Sequence, residues 1–279
     1  MTSTLSEMRP ASLSATEIAR FHEDGYYIAR GLFSPEEAAL IRDAFMEQSK
    51  DGPVPGLSEI RGEYTKDDPL SYYPRMMFPA DHPEFAVGPV AKQFMLDQRI
   101  YVILRDLMGE EPVAAQSMFY FKPPGARGQA MHQDNFYLRV KPGTCMAAWI
   151  AVDDADEENG GMCVIPGTHT MDVVCPAAAD RDKYFTHDYV ATPGKEPKAA
   201  NMSAGDCLFF NGSLVHGSSP NSSTERFRRS LILHYVPESS IELSAGYGNP
   251  RRFDDTPVRI PPATGGGPCG GEVVPMGPH

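Results

Sequence analysis

The chain has 279 residues, 41% of them hydrophobic and 10% aromatic, which is ample for a packed globular core. With 25 Lys and Arg against 37 Asp and Glu, the net charge is −12, which disfavours a polyanion-binding surface and excludes nucleic acid as the expected partner. The longest apolar run, MAAWIAV, is too short to span a bilayer, and the N-terminal MTSTLSEMRPASLSATE lacks the basic start and apolar stretch of a signal peptide, so no membrane association is expected.

Two helices open the chain. In SLSATEIARFHEDG, Ser14 reads as the N-cap, Glu17 completes a capping box, and Gly25 is the stop. In SPEEAALIRDAFMEQ, Ser34 caps, Pro35 fills the first turn and Glu37 closes the box. YYIARGLF between them reads as a short strand. From Asp51 to Pro83 the chain is rich in Gly, Pro, charge and aromatics without a sustained period, which predicts an ordered loop over a pocket. A third helix is expected through VAKQFMLDQRIYVILRDLMG. Short β-like runs follow: AAQSMFYF, HQDNFYLRV, TCMAAWIAV, GMCVIP, DCLFFN and RRSLILHYV, separated by Gly-rich turns. Short strands with no interleaved helices predict a mainly β core with flanking helices (α+β), closed by antiparallel pairing into a sandwich or barrel.

One domain is expected across 1–279: a helical part with its covering loop over about 14–110, a β core over about 113–240, and a loosely ordered tail over about 245–279. Five cysteines, at 145, 163, 175, 207 and 269, form an odd set without a CxxC pair. They suggest neither a disulfide framework nor a structural zinc site and fit a reducing cytoplasm.

The chemistry centres on GQAMHQDNFYLRV, where His132 and Asp134 flank Gln133. The same spacing occurs in FHEDGYY, but His22 and Asp24 fall on a predicted helix, where side chains two apart diverge by roughly 200°. His132 and Asp134 fall on a predicted strand, where they share a face and can chelate one ion. Two histidines and a carboxylate on one face hold a catalytic iron and leave coordination positions open. His216, which ends an apolar run before a Gly-Ser turn, is the expected third ligand. His169 in PGTH and His234 in RRSLILHYV read as structural, one fixing a turn and the other lying on the wall of the barrel. Asp153, Asp154 and Asp156 read as a solvated acidic hairpin, because the calcium-loop glycine is missing.

The order HQD…HGS…N…R, with FHEDGYYIARGLFSPEE, WIAVDDADEENGGMCVIPGTH and SAGDCLFFNGSLVHGSSPN, resembles the phytanoyl-CoA dioxygenase-like (PhyH) branch of iron(II)/2-oxoglutarate oxygenases from about Thr16 to Val236. The resemblance implies a double-stranded β-helix, a cupin-like jelly-roll. It implies His132, Asp134 and His216 as iron ligands, Arg228 and Ser218 on the distal carboxylate of 2-oxoglutarate, and Gln129 and Tyr120 as further cosubstrate contacts. The family arginine follows the histidine by one residue fewer, so Arg226, Arg228 and Arg229 compete; the later match of His234 and Tyr235 aligns Arg228.

The activity so implied is hydroxylation or a related oxidation of a C–H bond of a small-molecule substrate, driven by O2 and by decarboxylation of 2-oxoglutarate to succinate, in the tailoring of a metabolite. Arg75, the stretch Tyr72 to Phe78 and Trp149 are candidate substrate contacts. A 2-oxoglutarate-independent cupin-type enzyme, such as an isomerase or epimerase, and a non-catalytic jelly-roll binding module remain as alternatives.

Overall fold

The computed structural model describes residues 12–61, 64–247, 249–264 and 267–269. The helices among these are α1 (Ala15–Asp24), α2 (Pro35–Gln48), α3 (Pro69–Tyr72), α4 (Val87–Met95), α5 (Gln98–Met108) and α6 (Asn135–Leu138). The strands are β1 (Tyr26–Ala29), β2 (Met76–Met77), β3 (Pro112–Tyr120), β4 (Gln129–His132), β5 (Met146–Ala151), β6 (Met162–Val164), β7 (Ala177–Ala178), β8 (Asp188–Tyr189), β9 (Lys198–Ala199), β10 (Cys207–Asn211), β11 (His216–Ser218) and β12 (Ser230–Pro237).

Both opening helices carry the expected capping boxes. Glu17 N–H donates to Ser14 Oγ and Ser14 N–H to the Glu17 carboxylate; Ser34 and Glu37 do the same. Gly25 ends α1 at φ 84°, where its amide caps Phe21 O. The predicted third helix is instead two. Asp97 adopts an extended backbone and its carboxylate accepts from Arg99 N–H, so a residue poor in helix interiors starts α5 as its N-cap.

The antiparallel strands form a large sheet, β1-β10-β5-β12-β3-β2, facing a smaller one, β4-β11-β6-β9. This is the double-stranded β-helix. Two core layers explain why the strands are apolar on both faces. Along β12, Leu231, Leu233 and Tyr235 pack outward with Ile41, Phe45 and Phe94 of the helices, while Ile232 packs between the sheets with Trp149 and Phe210. Among the described residues no helix is long and apolar enough to cross a membrane.

Two expectations need correction. The stretch from about residue 245, read as loose, is partly built into the sheet: Arg251 and Ala114 exchange backbone hydrogen bonds at 2.8 and 2.9 Å, and Pro262 bridges Leu243. An open edge of β3 recruits this segment, an event that no periodicity announces. Residues 270–279 of the predicted tail lie outside the described residues. The cysteines are not all thiols either, since Cys175 and Cys269 form a disulfide across 94 residues, leaving Cys145, Cys163 and Cys207 free. The case for a reducing compartment made from five unpaired cysteines therefore falls away.

Thiol titration of the unfolded protein should count three groups before reduction and five after it. Closing so long a loop also predicts that reduction lowers stability by about 2–4 kcal/mol in urea denaturation. Five thiols without reductant would show that the bond does not form.

Candidate active site

The smaller sheet places two imidazoles side by side. β11 runs antiparallel to β4 with His216 directly opposite His132, and the ring centres are 4.2 Å apart. Each ring is oriented by its own strand: His132 Nδ1 lies 2.8 Å from Ala130 O and His216 Nδ1 2.9 Å from Leu214 O. A carbonyl only accepts, so Nδ1 carries the proton in both rings and each Nε2 presents a lone pair to the interior.

Asp134 arrives by a route other than the expected strand. β4 ends at His132, and Asp134 already has helical backbone, φ −59° and ψ −37°, at the start of α6. The chain turns because Asn135 N–H bonds Gly212 O, while Tyr137 and Leu138 N–H bond Asp134 O. The two residues thus converge, but through a turn and not through the shared strand face expected from parity. The turn swings the Asp134 carboxylate back over the sheet, with Oδ1 3.4 Å from His132 Nε2 and 3.5 Å from His216 Nε2. By contrast, His22 and Asp24 sit on α1, as expected, and form no such cluster.

The three ligand atoms lie within 4.8 Å of one another and all three residues are buried. Burial raises the Asp134 carboxyl, but the electrostatic influence of His216 and then His234, with the hydrogen bond from His234, outweighs it and holds the group well below the usual carboxylate range. Burial pushes His216 down to about 4. A neutral imidazole beside an ionised carboxylate is the protonation state a divalent metal requires, so this donor set fits an iron.

Across the same cavity lies a cationic end. Arg228 is buried, donates from Nε to Gly160 O at 3.2 Å and from Nη1 to Ser230 Oγ at 2.9 Å, and stands 5.3 Å from the centre of the Trp149 ring. Burial lowers its guanidinium to about 10. Lys122, at φ 38°, is buried beside it and donates from Nζ to Gly160 O and Ser218 Oγ, both at 2.8 Å, and to Ser219 O. Burial and then Arg228 hold its ammonium well below the ordinary range. Neither cation forms an ion pair among the described residues.

The competing arginines are spoken for. Arg229 makes a two-pronged pair with Asp153 at 2.7 and 2.8 Å, and Arg226 pairs with Asp156 and Glu158 at the surface. The acidic hairpin is thus partly an arginine clamp rather than simply solvated.

Gln129 and Tyr120 both line the metal cavity, and the Gln129 amide nitrogen lies 3.1 Å from His132 Nε2. Ser218 accepts from Lys122. Trp149 walls the cavity at its arginine end. Arg75 is buried in a second, adjoining pocket, with Nη2 on Glu59 at 2.9 Å and Nη1 on the Tyr120 hydroxyl at 2.7 Å. Of the stretch Tyr72 to Phe78, Tyr73 reaches this pocket, whereas Tyr72 turns outward to Lys50 O and Phe78 packs on Tyr247. His169 fixes a turn as expected, its ring bonding His22 O at the end of α1.

Three residues escaped the sequence reading. Gln133, fully buried, donates from its amide to Ser213 O at 2.8 Å and accepts from Val174 N–H, tying the HxD turn to the segment before His216. Lys122 is disguised by the Pro-Pro-Gly turn that follows it. His234, read as a wall residue, touches Asp134: Nε2 lies 3.1 Å from Oδ2. Its shared parity with Ser230 at the start of β12, and with Arg228 two residues before it, was the available signal.

Comparison with known proteins agrees with this geometry. The family model for phytanoyl-CoA dioxygenase (PhyH) matches residues 21–230. Phytanoyl-CoA dioxygenase 1 of Oryza sativa subsp. japonica is 27% identical over 279 residues, covering 90% of this chain and 99% of its own. Among solved structures, the non-heme alpha ketoglutarate dependent carbocyclase SnoK from nogalamycin biosynthesis superposes with a TM-score of 0.65 at 21% identity, over 91% of this chain and 90% of its own. The epimerase SnoN, solved in complex with Fe3+, alpha ketoglutarate and nogalamycin RO, gives 0.62 at 20% identity, over 91% and 96%. These structures share the fold, and the sequence match over most of its length shows that the chain belongs to the phytanoyl-CoA dioxygenase (PhyH) family.

Proposed function

We propose that the protein is an iron(II)- and 2-oxoglutarate-dependent dioxygenase acting on a C–H bond of a small molecule, with His132, Asp134 and His216 holding the metal. The observation that carries this reading is the pairing, in one cavity, of a cluster of two histidines and one carboxylate with a buried arginine that has no carboxylate partner among the described residues. Iron with 2-oxoglutarate supplies the oxidation, coupling decarboxylation of the cosubstrate to succinate with activation of O2.

The chain's own groups do the rest. Three protein ligands on one side leave the opposite positions for cosubstrate and O2. Arg228 takes the distal carboxylate of 2-oxoglutarate, and this ion pair offsets the cost of burying the guanidinium. Lys122 donates to Ser218 Oγ, which frees the Ser218 hydroxyl proton to point at the same carboxylate. Trp149 walls that end, while Gln129 and Tyr120 flank the chelating end, with Tyr120 held by Arg75.

The loop from Asp51 to Pro83 covers the adjoining pocket and excludes water. It is braced internally by Arg75 and Arg61 on Glu59, and tied to the body by Arg127 on Asp68 at 2.6 Å, Arg75 on the Tyr120 hydroxyl and Arg61 on Phe185 O. The substrate enters this pocket, whose aromatic wall is Tyr64 and Tyr73 of the loop and Phe185 outside it. The nogalamycin enzymes SnoK and SnoN, a carbocyclase and an epimerase, favour a tailoring oxidation in natural-product biosynthesis. A cupin-type enzyme without 2-oxoglutarate, or a bare binding module, would leave Arg228 and Lys122 buried without an anionic partner among the described residues.

Anaerobic addition of iron(II) and 2-oxoglutarate should produce a weak visible charge-transfer band, lost in His132→Ala, Asp134→Ala and His216→Ala. A band that survives all three changes would move the metal elsewhere. Arg228→Met should raise the apparent 2-oxoglutarate requirement at least roughly tenfold, since a charge-assisted bond contributes about 1.5–3 kcal/mol. Arg229→Met, which loses only Asp153, should leave that requirement little changed, and the opposite ranking would refute the assignment. For the loop, Glu59→Gln should speed hydrogen exchange across residues 64–77 by roughly tenfold, from the loss of charge-assisted bonds, with β12 unaffected. Unaltered protection there would mean that Glu59 is no latch.

A further inference from the structure

We propose that His234 is a positioning residue that occupies the outer oxygen of Asp134, so that this carboxylate offers the metal one oxygen and not two. The inference rests on the reading of His132, Asp134 and His216 as the iron site and adds a requirement that the triad alone does not meet. His132 and His216 stand on the smaller sheet. His234 stands on the larger one, in the middle of β12, paired with Ala147 of β5 and Gln116 of β3. It therefore reaches Asp134 from the opposite wall of the cavity.

The distances separate the two carboxylate oxygens. Oδ1 faces both metal-site imidazoles, 3.4 and 3.5 Å from their Nε2 atoms, and Oδ2 faces His234 Nε2 at 3.1 Å. An ionised carboxylate only accepts, so His234 donates, from Nε2. His234 itself lies outside the group of atoms close enough to share an ion. Both His234 and Asp134 are almost fully buried, so this hydrogen bond to an ionised oxygen is shielded from water and charge-assisted.

The consequence is a count of coordination positions. An unrestrained carboxylate can chelate a metal through both oxygens and so take a further position. A 2-oxo acid chelate needs two adjacent positions and O2 a third, which is all that a two-histidine, one-oxygen set leaves open on an octahedral ion. By holding Oδ2, His234 keeps the third position available and fixes the direction of Oδ1. Alanine at 147 is the cross-strand neighbour that leaves room for the ring to cross the cavity.

The test compares side chains that differ in reach. Gln places its amide nitrogen about where imidazole Nε2 sits, Asn falls short, and Leu has similar bulk without a donor. Cobalt(II) dissociation constants would be measured by calorimetry on metal-free protein, with melting temperatures of the same samples to report on the fold. His234→Asn and His234→Leu should each bind cobalt about 10–100-fold more weakly than wild type, with His234→Gln recovering most of the loss, as expected for an outer hydrogen bond to a ligand. Should either weak variant fail to fold, the other still makes the comparison with Gln. Wild-type affinity in Asn or Leu, or a Gln variant as weak as Leu, overturns the role of His234 while leaving the metal site in place. Failure of the wild-type protein to take up cobalt overturns the metal site itself.

Discussion

The ionised carboxylate of Asp134 is the constraint around which the molecule is arranged. A charge this deeply buried is tolerated only if its surroundings replace water: the His234 N–H from the larger sheet does so at Oδ2, and Oδ1 faces the two imidazoles with which it would share a metal ion. The requirement reaches back into the fold. Register between β4 and β11 must bring His132 opposite His216, the chain must break out of β4 at Gln133, and β12 must present His234 to the interior. A slip of one residue in either pairing would turn an imidazole into the wrong layer.

A second electrostatic feature balances the first. Arg228 and Lys122 lie at the other end of the cavity, anchored to the same carbonyl of Gly160. Gly160 adopts φ 71°, and a Cβ there would fall 2.5 Å from Ser219 O and 2.8 Å from Lys122 Nζ, so this position demands glycine twice over. The cavity is thus polarised before anything binds, with the anionic metal site at one end and an anion seat at the other. A ligand with a metal-binding head and an anionic tail is oriented by that field.

The loop over the adjoining pocket is held by exchange of charge as well as by the apolar packing of Leu57, Leu70 and Met76. Glu59 is shared between Arg61 and Arg75, and Arg75 passes the connection on to Tyr120 at the metal cavity. Burial raises the Glu59 carboxyl, yet the two arginines more than compensate and keep it ionised. Movement of the cover and the shape of the site are consequently linked through one hydrogen-bonded chain.

Local signals carried far along this chain. The two capping boxes, the glycine stop of α1, the run of short strands and the HxD spacing all act over a few residues, and their physics is complete within the sequence. The apolar run ending at a Gly-Ser turn singled out His216, and family resemblance then selected Arg228 from three candidates. What tertiary structure alone decided depends on contacts between distant segments. The HxD pair converges through a turn stabilised by Gly212 O, which no local pattern encodes. The covering loop, lacking any period, gains its order from Arg127 and Phe185, and the C-terminal segment from the edge of β3 and from Cys175. His234, Gln133 and Lys122 look ordinary in the sequence, because a buried side chain gains its role from whichever distant atom it meets, and that meeting is set by the stacking of two sheets.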